Sequence, residues 1–307
     1  MMIKSDIIVW LHDSPLHFFF DGQCAVVFFM VLSGFFYYKA EKCMFRKYLN
    51  GVWKKVEKIF PSHIIMILLG VIICNLQLPY NSSLFTDWSN SFWLAPIGLA
   101  ETIKQMLIIV PGTDPYLVNS PVWYLVVEVR MFLLMPLLVG SLYMIRRYMG
   151  EVAYYFDWTV MMVAAYVLYP FALCYLIGYM TANVFKTYRL VEKKLPRVVL
   201  LGGVFLSLVA INIQNEIKID NSEVNMIIQS AGVAVIILCC YMGIDWLGRT
   251  ILAKLGDYSY EFYITHFVIL LSCKCLVNNN YSFLIIGFVL SCLQTFILCY
   301  LKKVLIL

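Results

Sequence analysis

One stretch limits this chain more than any other. An apolar run reaching Met144 begins Ser120-Pro121-Val122-Trp123-Tyr124-Leu125 and carries Glu128 and Arg130 near its start. The run is long enough to cross a bilayer, which takes about 20 apolar residues. A charge at a membrane centre costs roughly 2.5–3.5 kcal/mol on insertion scales, so each buried one needs a partner or a task. Two positions apart on a helix, the two side chains point about 200° away from each other and cannot neutralise one another along one face. Each must look to another element. From the residues alone two readings stand open. Both charges lie near the external membrane interface and are partly wet, or both line a polar cavity with a substrate or an imidazole.

The rest of the chain is of the same kind. Hydrophobic residues make up 62% of it and charged ones 13%, where a soluble domain has about 25% charged. This is an integral membrane protein. The net charge of +5 is no nucleic-acid signal, because the basic residues fall in short loops between apolar runs, where they set topology. The ten cysteines are scattered through apolar runs, with no CxxC pair and no metal-type spacing, and read as small hydrophobes. No metal site is expected. The first dozen residues lack the apolar core of a cleavable signal peptide.

In chain order the pattern predicts an all-α, polytopic bundle of about nine crossings, forming a single domain over residues 1–307. A first helix covers Phe18–Phe20 and Cys24–Tyr38. The densest basic loop follows, with Lys54, Lys55 and Lys58, and should be cytoplasmic. Within it Phe45–Glu57 is expected to lie along the membrane surface, and Phe60–Leu78 then crosses. Pro79–Ser120, the longest polar connection, should be external, with a short interfacial or re-entrant helix at Leu99–Val110. Trp123–Met144 returns. Val152–Val184 has basic residues on both flanks, which a pair of helices breaking near Tyr169-Pro170 explains. Val198–Ile213, Val224–Met242, Tyr258–Ser272 and Tyr281–Leu301 complete the count, with the C-terminus cytoplasmic in a plasma or inner membrane. No internal repeat is evident.

Four histidines offer chemistry. His266 lies in a membrane helix, where an imidazole is a functional candidate by default; its bland alternative is a cap or interhelical hydrogen bond. His63, after Pro61 at a helix start, reads as structural. His12 and His17 precede the first helix on the external side, with Asp13 or Asp21 placed to orient one of them. An imidazole titrates near neutrality and suits a general base that takes a proton from a hydroxyl. Lys54, Lys55 and Lys58 either attract an anionic ligand such as a nucleotide phosphate or simply mark the cytoplasmic side. Asn119-Ser120-Pro121 should start the charged helix, and Gly202-Gly203 reads as helix packing.

Several stretches together resemble a known family. Asp21-Gly22-Gln23-Cys24-Ala25-Val26-Val27-Phe28-Phe29-Met30-Val31-Leu32-Ser33-Gly34-Phe35 is similar to the "G-x-x-AV-x-FFF-x-LSGF" signature of the acyltransferase 3 family of membrane acyltransferases. Pro121–Glu128 resembles its "P-x-W-x-L-x-x-E" segment, and Ser259–His266 its late "SY-x-x-Y-L-x-H" segment. Ile177-Gly178-Tyr179-Met180 looks like the end of its "F-x-x-G-M" helix. The three stronger matches run in the right order across nearly the whole chain.

The resemblance implies about ten core helices and transfer of an acyl group, commonly acetyl, from a cytoplasmic acyl-CoA to a hydroxyl of a surface or lipid-linked glycan. Acetyl-CoA or another acyl-CoA is then a donor substrate, with no bound cofactor. The partners expected are the lipid bilayer, acyl-CoA and a glycan acceptor, with no nucleic acid. Glu128, His266 and one of His12 or His17 are the expected catalytic residues; Arg130, Trp123, Lys54, Lys55 and Lys58 the expected substrate contacts. Two departures stand out. The family's first helix has an Arg, then ten residues, then its His, whereas His12 has Met1 at the Arg position; either His12 is a shifted remnant or, as the external start of the count favours, the chain lacks its first helix. Lys58 stands where the family often has Arg, and loses bidentate phosphate geometry. The rival readings are a glycan transporter or flippase, with Glu128, Arg130 and His266 as relay or substrate site, and an inactive truncated member.

Overall fold

The computed structural model describes residues 22–37, 45–108, 110, 112–187, 196–217, 222–243, 251–277 and 279–306. These are helical wherever the apolar runs predict a span, and no β-strand occurs among the described residues. The helices are α1 Gly22–Tyr37, α2 Phe45–Leu76, α3 Leu99–Leu107, α4 Val122–Leu168, α5 Pro170–Thr187, α6 Arg197–Ile217, α7 Ser222–Gly243, α8 Ser259–Cys273 and α9 Asn280–Ile306. Among the described residues four stretches are long and apolar enough to cross a membrane: Trp53–Leu76, Val122–Leu168, Glu223–Met242 and Asn280–Val304. Gly22–Tyr37 and Arg197–Asn212 are shorter apolar helices.

Two boundaries differ from the sequence expectation. The surface helix at Phe45–Glu57 and the span after it are one helix, α2, with Pro61 inside it. The charged and apolar halves run on continuously, with no glycine between Glu57 and Phe60 to end the first. The Trp123 helix, in turn, runs past Met144 to Gly150, whose φ of 89° and ψ of −178° are not helical. Only glycine adopts that conformation readily, so α4 is two helices in series. The break expected near Tyr169-Pro170 is present, with α4 ending at Leu168 and α5 starting on Pro170. Proline suits a first helical position because its missing N–H has no partner there.

Of the described residues, those within Leu49–Val129 and Thr250–Leu307 form one compact unit, and those within Leu11–Tyr48 and Arg130–Arg249 form another. In the second unit α1 and α5 approach backbone to backbone. A Cβ on Gly34 would collide with the Tyr175 carbonyl, and a Cβ on Gly178 with the Val31 carbonyl. Two of the family-like motifs therefore interlock. Small residues let apolar helices pack this closely. Phe35, Phe185 and Tyr241 close the next layer, with ring centroids 5.2–6.2 Å apart. The Gly202-Gly203 expectation divides: Gly203 faces Cys239, whereas Gly202 faces open space.

In the first unit the polar connection between α2 and α4 does not stay at the surface. It folds back along the helices. Phe85 stacks edge-on against Phe283 at 5.1 Å, and Phe92 against Phe267 at 5.0 Å. The Trp93 indole N–H donates to the Val118 carbonyl at 3.0 Å. Asn75 grips Ile97 twice, donating to its carbonyl and accepting from its N–H. The buried His63 donates through Nε2 to the Gln105 carbonyl at 2.9 Å, so α3 packs alongside α2. At the opposite end of α8, Lys274 is buried. Its ammonium donates to the Ser89 carbonyl and lies 4.7 Å from the Tyr80 ring and 5.2 Å from that of Phe85. Burial pushes its pKa down to about 8.

Candidate functional site

Glu128 is not left alone in its helix. Its carboxylate lies 2.7 Å from the Lys55 ammonium, with the side chains 12% and 26% exposed respectively. Packing explains why residues so far apart in sequence meet. Val122 at the start of α4 packs against Ile67 and Val71 of α2, and six further residues carry the chain about 9 Å along the axis. The long Lys55 side chain spans the remainder. The partner that the sequence left open for Glu128 is thus Lys55, neither Arg130 nor an imidazole. Arg130, facing away on α4, is exposed and falls in the other unit.

Helix α8 supplies the facing wall. The Tyr260 hydroxyl donates to the Ile59 carbonyl at 2.9 Å, and that of Tyr263 to the Pro121 carbonyl at 2.9 Å. The Tyr263 ring also meets Tyr124 edge-on at 5.9 Å. Asn119 is buried and donates to the Ile264 carbonyl at 2.9 Å. It therefore tethers α4 to α8, beyond the helix-starting role expected of it.

His266 sits one turn beyond Tyr263 on α8. Its Nδ1 donates to the Phe262 carbonyl at 3.2 Å, and its ring stacks on Phe262 at 6.0 Å with an interplanar angle of 13°. The hydrogen bond selects the tautomer with the proton on Nδ1, which leaves the basic lone pair on Nε2. A neutral imidazole held this way by the backbone is oriented to accept a proton.

A second ion pair underlies the first. Glu261, buried on α8, lies 2.7 Å from the Lys302 ammonium of α9, which also donates to the Lys58 carbonyl at 2.7 Å. Lys54 and Lys58 present their own side chains to solvent, and Trp123 is half-buried in the first turn of α4. His12 and His17 lie outside the described residues. Among the described residues no group of three or more His, Cys, Asp or Glu side chains is arranged to hold a metal ion.

Tyr260, Tyr263, Glu261 and Lys302 were missed as site residues. The tyrosines did carry a signal. Tyr260, Tyr263 and His266 are spaced three apart and share one face of a helix. Lys302 carried none, since it looked like any basic residue at the end of a span.

A family model described as an acyltransferase domain matches residues 3–304, whereas no curated protein and no solved structure matches the chain. The match spans essentially the whole sequence, and four helices among the described residues are long and apolar enough to cross a bilayer; the chain belongs to the acyltransferase 3 family and is a membrane acyltransferase.

Proposed function

We propose that the protein moves an acyl group, acetyl by preference, from acyl-CoA to a hydroxyl of a surface or lipid-linked glycan. The observation that carries this reading is His266. Its Nδ1–H is fixed on the Phe262 carbonyl, and it lies one turn along α8 from Tyr263, whose hydroxyl is held on Pro121 of the segment that leads to Glu128. In the reaction, Nε2 takes the proton of the acceptor hydroxyl as its oxygen attacks the thioester carbonyl. The tetrahedral intermediate places negative charge on the former carbonyl oxygen, and Lys55, held by Glu128, supplies the positive field for it. Collapse breaks the C–S bond. The imidazolium returns the proton to the departing thiolate, so CoA leaves as the thiol and the glycan leaves as the ester.

Lys54 and Lys58, exposed on the same helix as Lys55, draw the phosphates of the donor. The basic clusters then face the cytoplasm together with the C-terminus, the chain crosses the plasma membrane about nine times, and the acceptor is met from the far side. The test is His266→Gln in nanodiscs, assayed with radiolabelled acetyl-CoA. Loss of a general base lowers kcat by about 10²–10⁴-fold. Activity within a few-fold of wild type, in protein of normal melting temperature, would assign the base to another histidine. Mass spectrometry of surface glycans from a strain lacking the gene tests the acceptor: a missing acyl mass is expected, and an unchanged pattern would refute a glycan substrate.

A further inference from the structure

The folded-back connection between α2 and α4 encloses a concavity of about 570 Å³. This lies within the range of small-molecule sites, about 300–1,000 Å³. Its walls include Trp88, Trp93, Tyr116, Glu101 and Asp114. We propose that this concavity binds one or two uncharged pyranose rings of the acceptor, an inference that rests on the acceptor being a glycan.

Three features carry the assignment. First, large aromatic side chains are offered to the space: Trp88 is 48% exposed and Tyr116 is 49% exposed. A pyranose ring has an apolar C–H face that lies against such a ring, and hydroxyls at its edge that need acceptors. Second, the polar wall is made of carboxylates. Glu101 and Asp114 accept hydrogen bonds from neutral hydroxyls and repel an anionic uronate or phosphate ring. Lys104 pairs with Glu101 at 3.3 Å. Third, the wall is held in place by side chains bonded to backbone. Trp93 is fixed on Val118, Asn75 on Ile97, and Gln105 on both the Asp114 carbonyl and Glu101. Asp114 in turn accepts the Tyr116 N–H at 2.9 Å, which sets the direction of the Tyr116 ring. Such a rigid wall lowers the ordering cost of binding.

The position suits an acceptor. Three residues separate Leu117 of the wall from Pro121, whose carbonyl takes the Tyr263 hydroxyl. A sugar in the concavity is therefore held by the segment that leads into the cluster around Glu128. An exposed aromatic loop in a membrane protein has another use, as an anchor in the lipid headgroup region, and the test separates the two.

The experiment uses the full chain in nanodiscs and fluorescent trisaccharides of neutral hexose, N-acetylhexosamine and uronic acid. Wild type should bind one or both uncharged probes and discriminate against the uronate at least tenfold. Tyr116→Ala and Glu101→Gln should each weaken binding about tenfold and raise the KM for the glycan acceptor in parallel, with the KM for acetyl-CoA unchanged. Leu94→Trp, at a wall position 73% exposed, fills the space and should act in the same direction if either other variant does not express. Preference for the uronate, absence of binding by wild type, or unchanged binding in the variants overturns the proposal. An unchanged acceptor KM with weaker association to lipid would identify a headgroup anchor instead. Glycan acylation that persists with unaltered KM in all variants removes only the subsite, whereas acyl transfer to no glycan at all removes the glycan reading beneath it.

Discussion

Removing the charge of Glu128 tests the pairing at the centre of the site. Exposed ion pairs contribute about 0.2–1 kcal/mol, while breaking a buried one by deleting one partner costs about 3–5 kcal/mol. With Glu128 12% and Lys55 26% exposed and 2.7 Å between their charged atoms, this pair lies nearer the buried limit. Glu128→Gln keeps a hydrogen-bond acceptor for the ammonium, so a stability loss of about 2 kcal/mol is expected. The rate should suffer more. If Lys55 acts on the developing oxyanion only while Glu128 holds it, kcat/KM falls about 10²-fold, equivalent to about 2.7 kcal/mol. The decisive measurement is a double-mutant cycle with Glu128→Gln and Lys55→Met. Melting temperature in detergent and initial rates of radiolabelled acetyl transfer are read on the same four proteins. Two residues acting as a unit give a double variant little worse than the poorer single one, with a coupling of about 2 kcal/mol. Losses that simply multiply would show that the pair is incidental and that each residue acts, if at all, alone.

Other expectations follow from the same geometry. Gly34→Ala and Gly178→Ala each force α1 and α5 apart, because the added Cβ meets backbone; a cost of at least about 1–3 kcal/mol is expected. Gly202→Ala, into open space, should be neutral or stabilise by up to about 1 kcal/mol through helix propensity, and thermal melts that rank the three otherwise would contradict the packing. Lys274 has its pKa lowered from 10.5 to about 8 by burial. Between those values the unfolded chain binds more protons, so stability rises with pH across that window. Melting temperature should therefore rise relative to Lys274→Met from about pH 8 to 10.5, and a constant difference would argue against a desolvated ammonium. Tyr263→Phe removes the hydroxyl on the Pro121 carbonyl, costing about 1 kcal/mol; a larger fall in kcat than in stability would place that hydroxyl near the reacting atoms.

Much of the site was half-visible before the structure. Glu128 stood out on energetic grounds, because a carboxylate in an apolar run demands compensation. His266 stood out for the same reason. Lys55 was visible too, but under another explanation: with Lys54 and Lys58 it formed a basic cluster that either draws a nucleotide phosphate or marks a membrane side. Only its depth relative to Val122 singles it out, and depth depends on how far α4 is drawn down against α2. In the connection at Pro79–Ser120, Gln105 and Asn119 use their amides to satisfy backbone carbonyls, as Asn75 of α2 does for Ile97. A polar side chain in a sequence carries no label saying whether water or a carbonyl will be its partner.

The sequence by itself settled what is local and periodic. Apolar runs of sufficient length specified the helices and the membrane class, because backbone groups in lipid must be satisfied within the helix. Pro170 located a break, and the order of the motifs pointed to the family. The tertiary structure alone decided which residues meet: Gly34 with Tyr175, Asn119 with Ile264, Lys55 with Glu128. Those pairings depend on the register of one helix against another. Side-chain packing summed over whole faces sets that register, and no single residue encodes it. The two charges that first singled out Val122–Met144 thus parted company: Glu128 joined the polar cluster beside α8, and Arg130, two residues on, belongs to the other unit.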